Sequence, residues 1–433
     1  MSEKKNVFVI GLDDFNRAKL ERLPLAQGVN FLPALTVQDI RGVESFSMKA
    51  LIDQAIETIE REDRVDGICT YWDFPGTTML PILCERFGVP GPSLDAVMKC
   101  ENKFWSRQEQ KKVIPEHIPQ FRAVDPFDEH AFEKIDLIAP FWIKPIKSFR
   151  SFLSYRINGP QVFEEAMAEA RRHIQYMGDP FMYLMQHYGM PAELVDMKET
   201  MIAESPLEGA MCTLEGYVFD GTVSGYGVVD SVRDGDRSSF TRYEYPSSLP
   251  LEVTHRMIDV ARRALGQIGY DNGCFNAEFF YDSTSDNVYL LEINPRCSQA
   301  HTDIFEKVHG ISHLNVMLSI ALGQRPRPLE RKGRHNLAGH FMMRVFEDGR
   351  VWKVPGEAEI AALRSELPDA EVKIAVKPGM TLSELRGQDS YSYELGNVFV
   401  GGRDQTELLE RYGRALEILS FEITPNVKTL QVY

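Results

Sequence analysis

Apolar and polar positions along the chain follow two different periods. NVFVIGL (6–12), FLPAL (31–35) and GICTYW (67–72) are apolar runs of strand length, whereas MKALIDQAIETIERE (48–62) sets Leu51, Ile52, Ala55, Ile56 and Ile59 on one helical face. Strand and helix alternating in this order predict a small parallel βαβ sheet over residues 1–100. GVPGPS (88–93) breaks the chain, and a helical, then mixed, stretch over 94–136 carries Pro115, Pro119 and Pro126 around an extended IPQFRAV (118–124). FWIKPI (141–146) predicts a strand and VFEEAMAEARRHIQYM (162–177) an amphipathic helix. MKETMIAESPLEG (197–209) predicts a strand running into a proline bend, and MCTLEGYVFDGTVSGYGVV (211–229) a hairpin turning at Asp220-Gly221. LEVTHRMIDVARRALGQIG (251–269) is a helix pattern that ends on glycine, and a further helix is expected to end near Gly323. The basic, proline-rich QRPRPLERKGRH (324–335) reads as a linker before a strand-rich region over 330–433.

Composition narrows the picture. A chain of 433 residues has room for about two to four domains. With 43% hydrophobic and 26% charged residues it has the make-up of a globular protein. The formal net charge of -15 repels nucleic-acid backbones and anionic lipid, so any anionic ligand needs a local positive site. Cys69, Cys84, Cys100, Cys212, Cys274 and Cys297 have no CxxC spacing and read as reduced core residues. The first apolar stretch, about six residues long, is too short for a secretory core, and no run approaches the roughly 20 residues that span a bilayer. A cytoplasmic chain with no membrane or nucleic-acid partner is therefore expected. Gly11 follows the first strand without a GxGxxG, so a dinucleotide fingerprint is not supported.

Two strand patterns carry the strongest chemistry. In NVYLLEINPR (287–296), a period of two puts Leu290, Glu292 and Asn294 on one face and Leu291 and Ile293 on the other; in GCFNAEFFYD (273–282), Asn276, Glu278 and Phe280 share a face. The turn STSDN is centred on Ser285, midway between 278 and 292, so a simple hairpin opposes Glu278 to Glu292 with Cβ atoms roughly 5 Å apart. Two like charges there destabilise a sheet unless a cation lies between them. With Asn294 they supply three hard oxygen donors, the set that one or two Mg²⁺ ions take together with phosphate and water. A lone strand glutamate is ordinarily just solvated; a registered trio flanked by Phe, Tyr and Leu favours the metal. Arg296 shares that face if the strand continues past Pro295, where it would neutralise a transferred phosphoryl group or hold a carboxylate; its plain alternative is a surface ion pair.

A second signal is negative. The 27 residues between Asp136 and Glu164 contain no acid, where the chain average predicts roughly four. The same stretch carries Lys144, Lys147, Arg150 and Arg156, so it is the expected place for an anion, although SFRSFLS (148–154) lacks the glycines that let a loop wrap phosphate closely.

Together these features resemble, over residues 1 to about 325, the ATP-grasp superfamily, of the carboxylate–amine ligase type. The resemblance implies an α/β (α+β) fold: a βαβ pre-ATP-grasp domain at 1–100, a two-lobed nucleotide clamp at 101–325 hinged near 203–209, and a β-rich C-terminal domain at 330–433. AEFFYDSTSDNVYLLEINPR (277–296) matches the family's metal motif, in which Glu278, Glu292 and Asn294 would hold Mg²⁺ (or Mn²⁺) and Arg296 would be the catalytic arginine. CENKFW (100–105) is similar to the segment whose lysine meets the α-phosphate of ATP, here Lys103, and FWIKP to the strand whose lysine bridges nucleotide phosphates, here Lys144. AESPLEG (203–209) resembles the hinge that holds adenine, which maps to Glu204, Ser205 and Leu207. The chain departs from the pattern in its phosphate loop, which keeps Ser151 but has Ser148, Arg150 and Leu153 where glycines stand, and at the ribose glutamate, which is Met211.

The resemblance implies that a small-molecule carboxylate attacks the γ-phosphoryl of ATP and that an amine displaces phosphate from the acylphosphate, with amino acids or related acids as substrates. His301 and Asp303, just past the metal motif, are candidates for substrate contact, with a structural role at a helix start as the equal alternative. Two alternatives stand beside this reading. A biotin-carboxylase-like enzyme would make carboxyphosphate, but its Gln-Val-Glu-His pattern after the arginine is here CSQAH (297–301), with Ala300 at the glutamate. A nucleotide-binding regulatory protein with little turnover would fit the glycine-poor loop. The C-terminal region is compatible either with closing the acceptor pocket or with building a homodimer.

Overall fold

The computed structural model describes residues 4–41, 47–148, 153–188, 197, 199–233, 239–385 and 392–424. Strands β1 (Lys5–Leu12), β2 (Val29–Thr36) and β3 (Gly67–Cys69) form a parallel sheet in the order β2-β1-β3. From Val7 to Leu12 β1 is apolar without interruption because both its faces are covered there: Phe8 and Ile10 enter one core, Val7 and Val9 another. The helix Met48–Ile59 lays Leu51, Ile52, Ala55 and Ile59 against the first of these. β3 is shorter than the apolar run 67–72. Its ladder stops because the Thr70 hydroxyl donates to Ile10 O (3.1 Å) and accepts from Trp72 N (3.1 Å), which turns the chain into a loop.

A second, antiparallel sheet has the order β4-β7-β5-β6, from β4 (Phe121–Val124), β5 (Phe141–Pro145), β6 (Tyr155–Ile157) and β7 (Met201–Glu204). The helical pattern at 162–177 is divided: one helix covers Pro160–His173 and a second begins at Gln175.

The third sheet is the largest, with eight strands ordered β12-β11-β8-β9-β10-β13-β16-β15. Its first five in sequence are β8 (Ala210–Phe219), β9 (Thr222–Arg233), β10 (Phe240–Tyr245), β11 (Gly273–Asp282) and β12 (Asn287–Asn294). β8 and β9 join at Asp220 and Gly221, whose φ values of 49° and 69° are those of the hairpin turn that Asp-Gly favours. The amphipathic helix Leu251–Ile268 covers one face through Val253, Met257, Val260, Ala261, Ala264 and Leu265.

Residues 324–335 contain no helix or strand. Beyond them, β13 (Leu337–Val345), β15 (Glu371–Ile374) and β16 (Tyr393–Gly402) extend the eight-stranded sheet through the β10–β13 pair, while β14 (Arg350–Lys353) and β17 (Glu422–Thr424) pair separately. The last hundred residues thus have a core of their own, built on Phe341, Leu395, Val398 and Leu408, and share a sheet with the residues before them.

Candidate active site

The site assembles where the three sheets meet. β11 and β12 pair Glu278 with Glu292 and Asn276 with Asn294. The ladder is not a simple hairpin: the register shifts between Glu278 and Phe279, Phe279 faces Leu290, and Leu291 is the extra residue of a bulge. Leu290 therefore lies with Val288 and Ile293 in the core and not on the face of Glu292, contrary to the period-two expectation. The turn is centred half a residue earlier than expected, and the bulge restores the opposition of the two glutamates.

Their electrostatics are those of a site short of positive charge. Burial, then the Glu292 carboxylate, push Glu278 up to about 8. Glu292 is half-buried, which works against its charge, but Lys103 Nζ at 3.1 Å holds it below the usual carboxylate range. Asn294 Nδ2 donates to Glu278 Oε1 (3.2 Å) and Asn276 Oδ1 (3.2 Å), which leaves its own Oδ1 for a ligand. Among the described residues, no three His, Cys, Asp or Glu side chains cluster as a metal site. The donor set here is two carboxylates and an amide, which fits a hard, oxygen-seeking cation that would relieve the repulsion.

Lys103 is the first residue of the helix Lys103–Val113, capped by Asn102, whose side chain accepts from Trp105 N (3.0 Å). Its backbone N–H reaches Ile146 O (2.8 Å) and its ammonium Ser148 O (3.1 Å), tying it to the end of β5. Burial works against its charge, but Glu292 holds the ammonium above its ordinary pKa. Lys144, on β5, meets Glu204, on β7, at 2.7 Å. Glu204 also takes Arg107 Nε at 2.6 Å; against the effect of burial, Arg107 and Lys144 drive its carboxyl down to about 2. Ser205 follows with its N–H on Gln120 O (2.9 Å) and its hydroxyl accepting from Gln120 N (3.0 Å), and Leu207 is half-buried on the hinge. Ser151 and Arg150 lie outside the described residues, while Leu153, at an expected glycine position, has φ 52°, the left-handed region glycine favours.

Arg296 does not extend the strand. Pro295 ends it, Arg296 N returns to Asn294 O (2.8 Å), and the side chain pairs with Asp73 at 2.5 Å. Of the remaining basic residues in the acid-free stretch, Lys147 is buried against Glu101 and Arg156 is exposed. His301 is buried with Nδ1 2.8 Å from Glu215, a fully buried carboxylate that also accepts from Asn276 Nδ2 (2.6 Å). Asp303 is not at this site; it is buried in an ion pair with Lys19. Sequence reasoning missed Asp73, Glu101, Arg107 and Glu215. Arg107 had a signal, one helical turn after Lys103; Asp73 and Glu101 had none, since their partners are distant in sequence.

A family model described as carbamoyl-phosphate synthase L chain, ATP binding domain, matches residues 244–329, which include the β11–β12 hairpin. The L-amino acid ligase from Bacillus licheniformis superposes with TM-score 0.71 at 18% identity, covering 98% of this chain and 99% of that one. The chain has the ATP-grasp fold. Biotin carboxylase from Campylobacter jejuni (TM-score 0.63, 17% identity, 99% and 93% covered) and N5-carboxyaminoimidazole synthase from Aspergillus clavatus (0.65, 15%, 96% and 99%) share this ATP-grasp architecture. Among curated sequences, an uncharacterized protein of Sinorhizobium fredii is 22% identical over 346 residues, 79% of this chain and 65% of that one. The carbamoyl phosphate synthase large chain of Clostridium acetobutylicum is 24% identical over 313 residues, 70% of this chain and 26% of that one. The match thus spans less than two thirds of either curated relative.

Proposed function

We propose that this ATP-grasp protein is an ATP-dependent carboxylate–amine ligase that works through an acylphosphate, releases ADP and phosphate, and acts on amino acids or related small acids. The observation that carries the reading is the opposition of Glu278 and Glu292 beside Asn294, with Lys103 already on one of the two carboxylates. Mg²⁺ (or Mn²⁺), held by Glu278, Glu292 and Asn294, would offset phosphate charge during the in-line transfer. The chain's own contribution is positioning and charge. Lys103 and Lys144 lie on two adjoining elements and would meet phosphate oxygens, the hinge at Glu204, Ser205 and Leu207 would border adenine, and Arg296 would meet the acid's carboxyl group.

The N-terminal sheet favours an amino acid over a phosphorylated substrate. The helix Asp14–Glu21 follows β1 directly, and an anion of its own stands at its start: the Asp13 carboxylate accepts from Asn16 N (2.8 Å), with Asp14 next to it. An incoming phosphate would be repelled there, and an ammonium group would be welcomed.

Incubation with ATP, Mg²⁺ and pairs of L-amino acids is expected to release ADP and phosphate and yield a dipeptide, and Glu292→Gln to lower the rate by about 10²-fold or more. AMP and pyrophosphate as products would overturn the acylphosphate scheme. Bicarbonate-dependent ATPase activity stimulated by biotin would favour the carboxylase alternative.

A further inference from the structure

The contact between Arg296 and Asp73 joins segments 223 residues apart, and its geometry says more than that two charges meet. Among the described residues, Arg296 donates to Asp73 through Nε alone; the paired side chain is 12% exposed, and Nη1 is buried with no hydrogen-bond partner among those residues. A guanidinium often grips a carboxylate with two N–H groups, and where one N–H does so, as in Arg107, the others bond elsewhere: Arg107 Nη1 is on Gln110 and Nη2 on Leu291 O. Here one edge is held and the other is left to a further acceptor.

Asp73 is itself held firmly. It stands on the loop between β3 and the helix Gly76–Phe87, and Asp73 O accepts from Gly76 N at 2.9 Å. The preceding Trp72 donates Nε1 to Gly11 O (2.6 Å) and its backbone N–H to the Thr70 hydroxyl. A Cβ at Gly76 would stand 2.9 Å from that same hydroxyl, so the loop is closed around Thr70. Burial opposes the charge on Asp73, but Arg296 first, then Arg41 and Lys147, keep it ionised.

We propose that Asp73 is a positioning residue: by capturing Nε it fixes the plane of the Arg296 guanidinium, so that Nη1 is presented to the carboxyl group of the acid substrate as that group takes the γ-phosphoryl. This rests on the ligase reading above. In that step a carboxylate oxygen forms a bond to the γ-phosphorus, the bond from γ-phosphorus to the β,γ-bridging oxygen breaks, and ADP leaves with the electron pair. A cation on a flexible stem would reach the acid in several orientations; one held at Nε reaches it in one.

The test compares Asp73→Asn, Asp73→Glu, Arg296→Lys and the double variant Asp73→Asn/Arg296→Lys, with folding checked by thermal melting. With an acid and amine pair that the wild type joins, Asp73→Asn is expected to lower kcat by about 10- to 100-fold, with KM for ATP within about twofold of wild type. Asp73→Glu is expected to recover part of the loss, and the double variant to lose little beyond Arg296→Lys. A wild-type kcat in well-folded Asp73→Asn overturns the proposal. Should the wild type join no pair at all, the ligase reading fails by itself, and positioning is then decided by the ¹⁵N-edited resonance of Arg296 Nε–H, assigned by its absence in Arg296→Lys. Its loss to solvent exchange in Asp73→Asn supports the fixed guanidinium; an unchanged resonance overturns it.

Discussion

Glu278 and Glu292 show how one pair of residues can be destabilising in the empty protein and useful in the loaded one. The folded chain keeps a proton on Glu278 up to about pH 8, whereas an ordinary glutamate releases it near 4.5. The unfolded state therefore sheds its proton first, and the stability that Glu278 contributes at acid pH is lost as pH rises through this window. Glu278→Gln has no proton to lose. Without divalent metal it is expected to be more stable than wild type by about 1–3 kcal/mol near pH 8 and by much less near pH 5, measured by denaturant melts at both values. Millimolar Mg²⁺ should raise the melting temperature of the wild type and not of this variant. The two glutamates are legible in the sequence because they lie close on either side of a short turn, so that even a one-residue bulge leaves them within reach of one another. Asp73 is not, because it meets Arg296 only after the parallel sheet has carried it there.

At the scale of elements, the hairpin shows what alternation can and cannot tell. The patterns at 273–282 and 287–296 reveal the two strands, but the midpoint at Ser285 points to the glutamate pair only because the bulge offsets a turn centred half a residue earlier. The bulge escapes because Leu290 and Leu291 are both apolar, so the pattern does not say which of them the core takes. The hinge offers a sharper case. Gly209 has φ 108°, and a Cβ there would sit 2.2 Å from Tyr281 O, so the turn from β7 into β8 needs glycine both for its conformation and for its closeness to β11. Gly209→Ala is expected to destabilise by roughly 1–3 kcal/mol and to raise KM for ATP several-fold, measured by thermal melting and steady-state ADP release.

Across the whole molecule, the alternation of strand and helix patterns was enough to show the parallel N-terminal sheet and the proline-rich segment at 324–335. It could not show that β13, β15 and β16 would join the sheet that carries the β11–β12 hairpin, since strand neighbours distant in sequence leave no periodic trace. A buried ion pair crosses the same assembly: Lys19, in the N-terminal helix, is 2% exposed and pairs with Asp303, with Glu371 of β15 at 3.8 Å. Lys19→Met leaves a carboxylate buried without its partner and is expected to cost about 3–5 kcal/mol, while Lys19→Met with Asp303→Leu should recover much of that loss. Denaturant midpoints of the two variants check both expectations.

Arg107 touches two sheets: its Nε holds Glu204 at the end of β7 in the four-stranded sheet, and its Nη2 holds the Leu291 carbonyl at the bulge of the eight-stranded sheet. Lys103 sits on the same helix, one turn earlier, and repeats the tie: its N–H is on Ile146 O just past β5, and its ammonium is on Glu292 of β12. One short helix thus fastens the edge hairpin of the eight-stranded sheet to the four-stranded sheet at two successive turns.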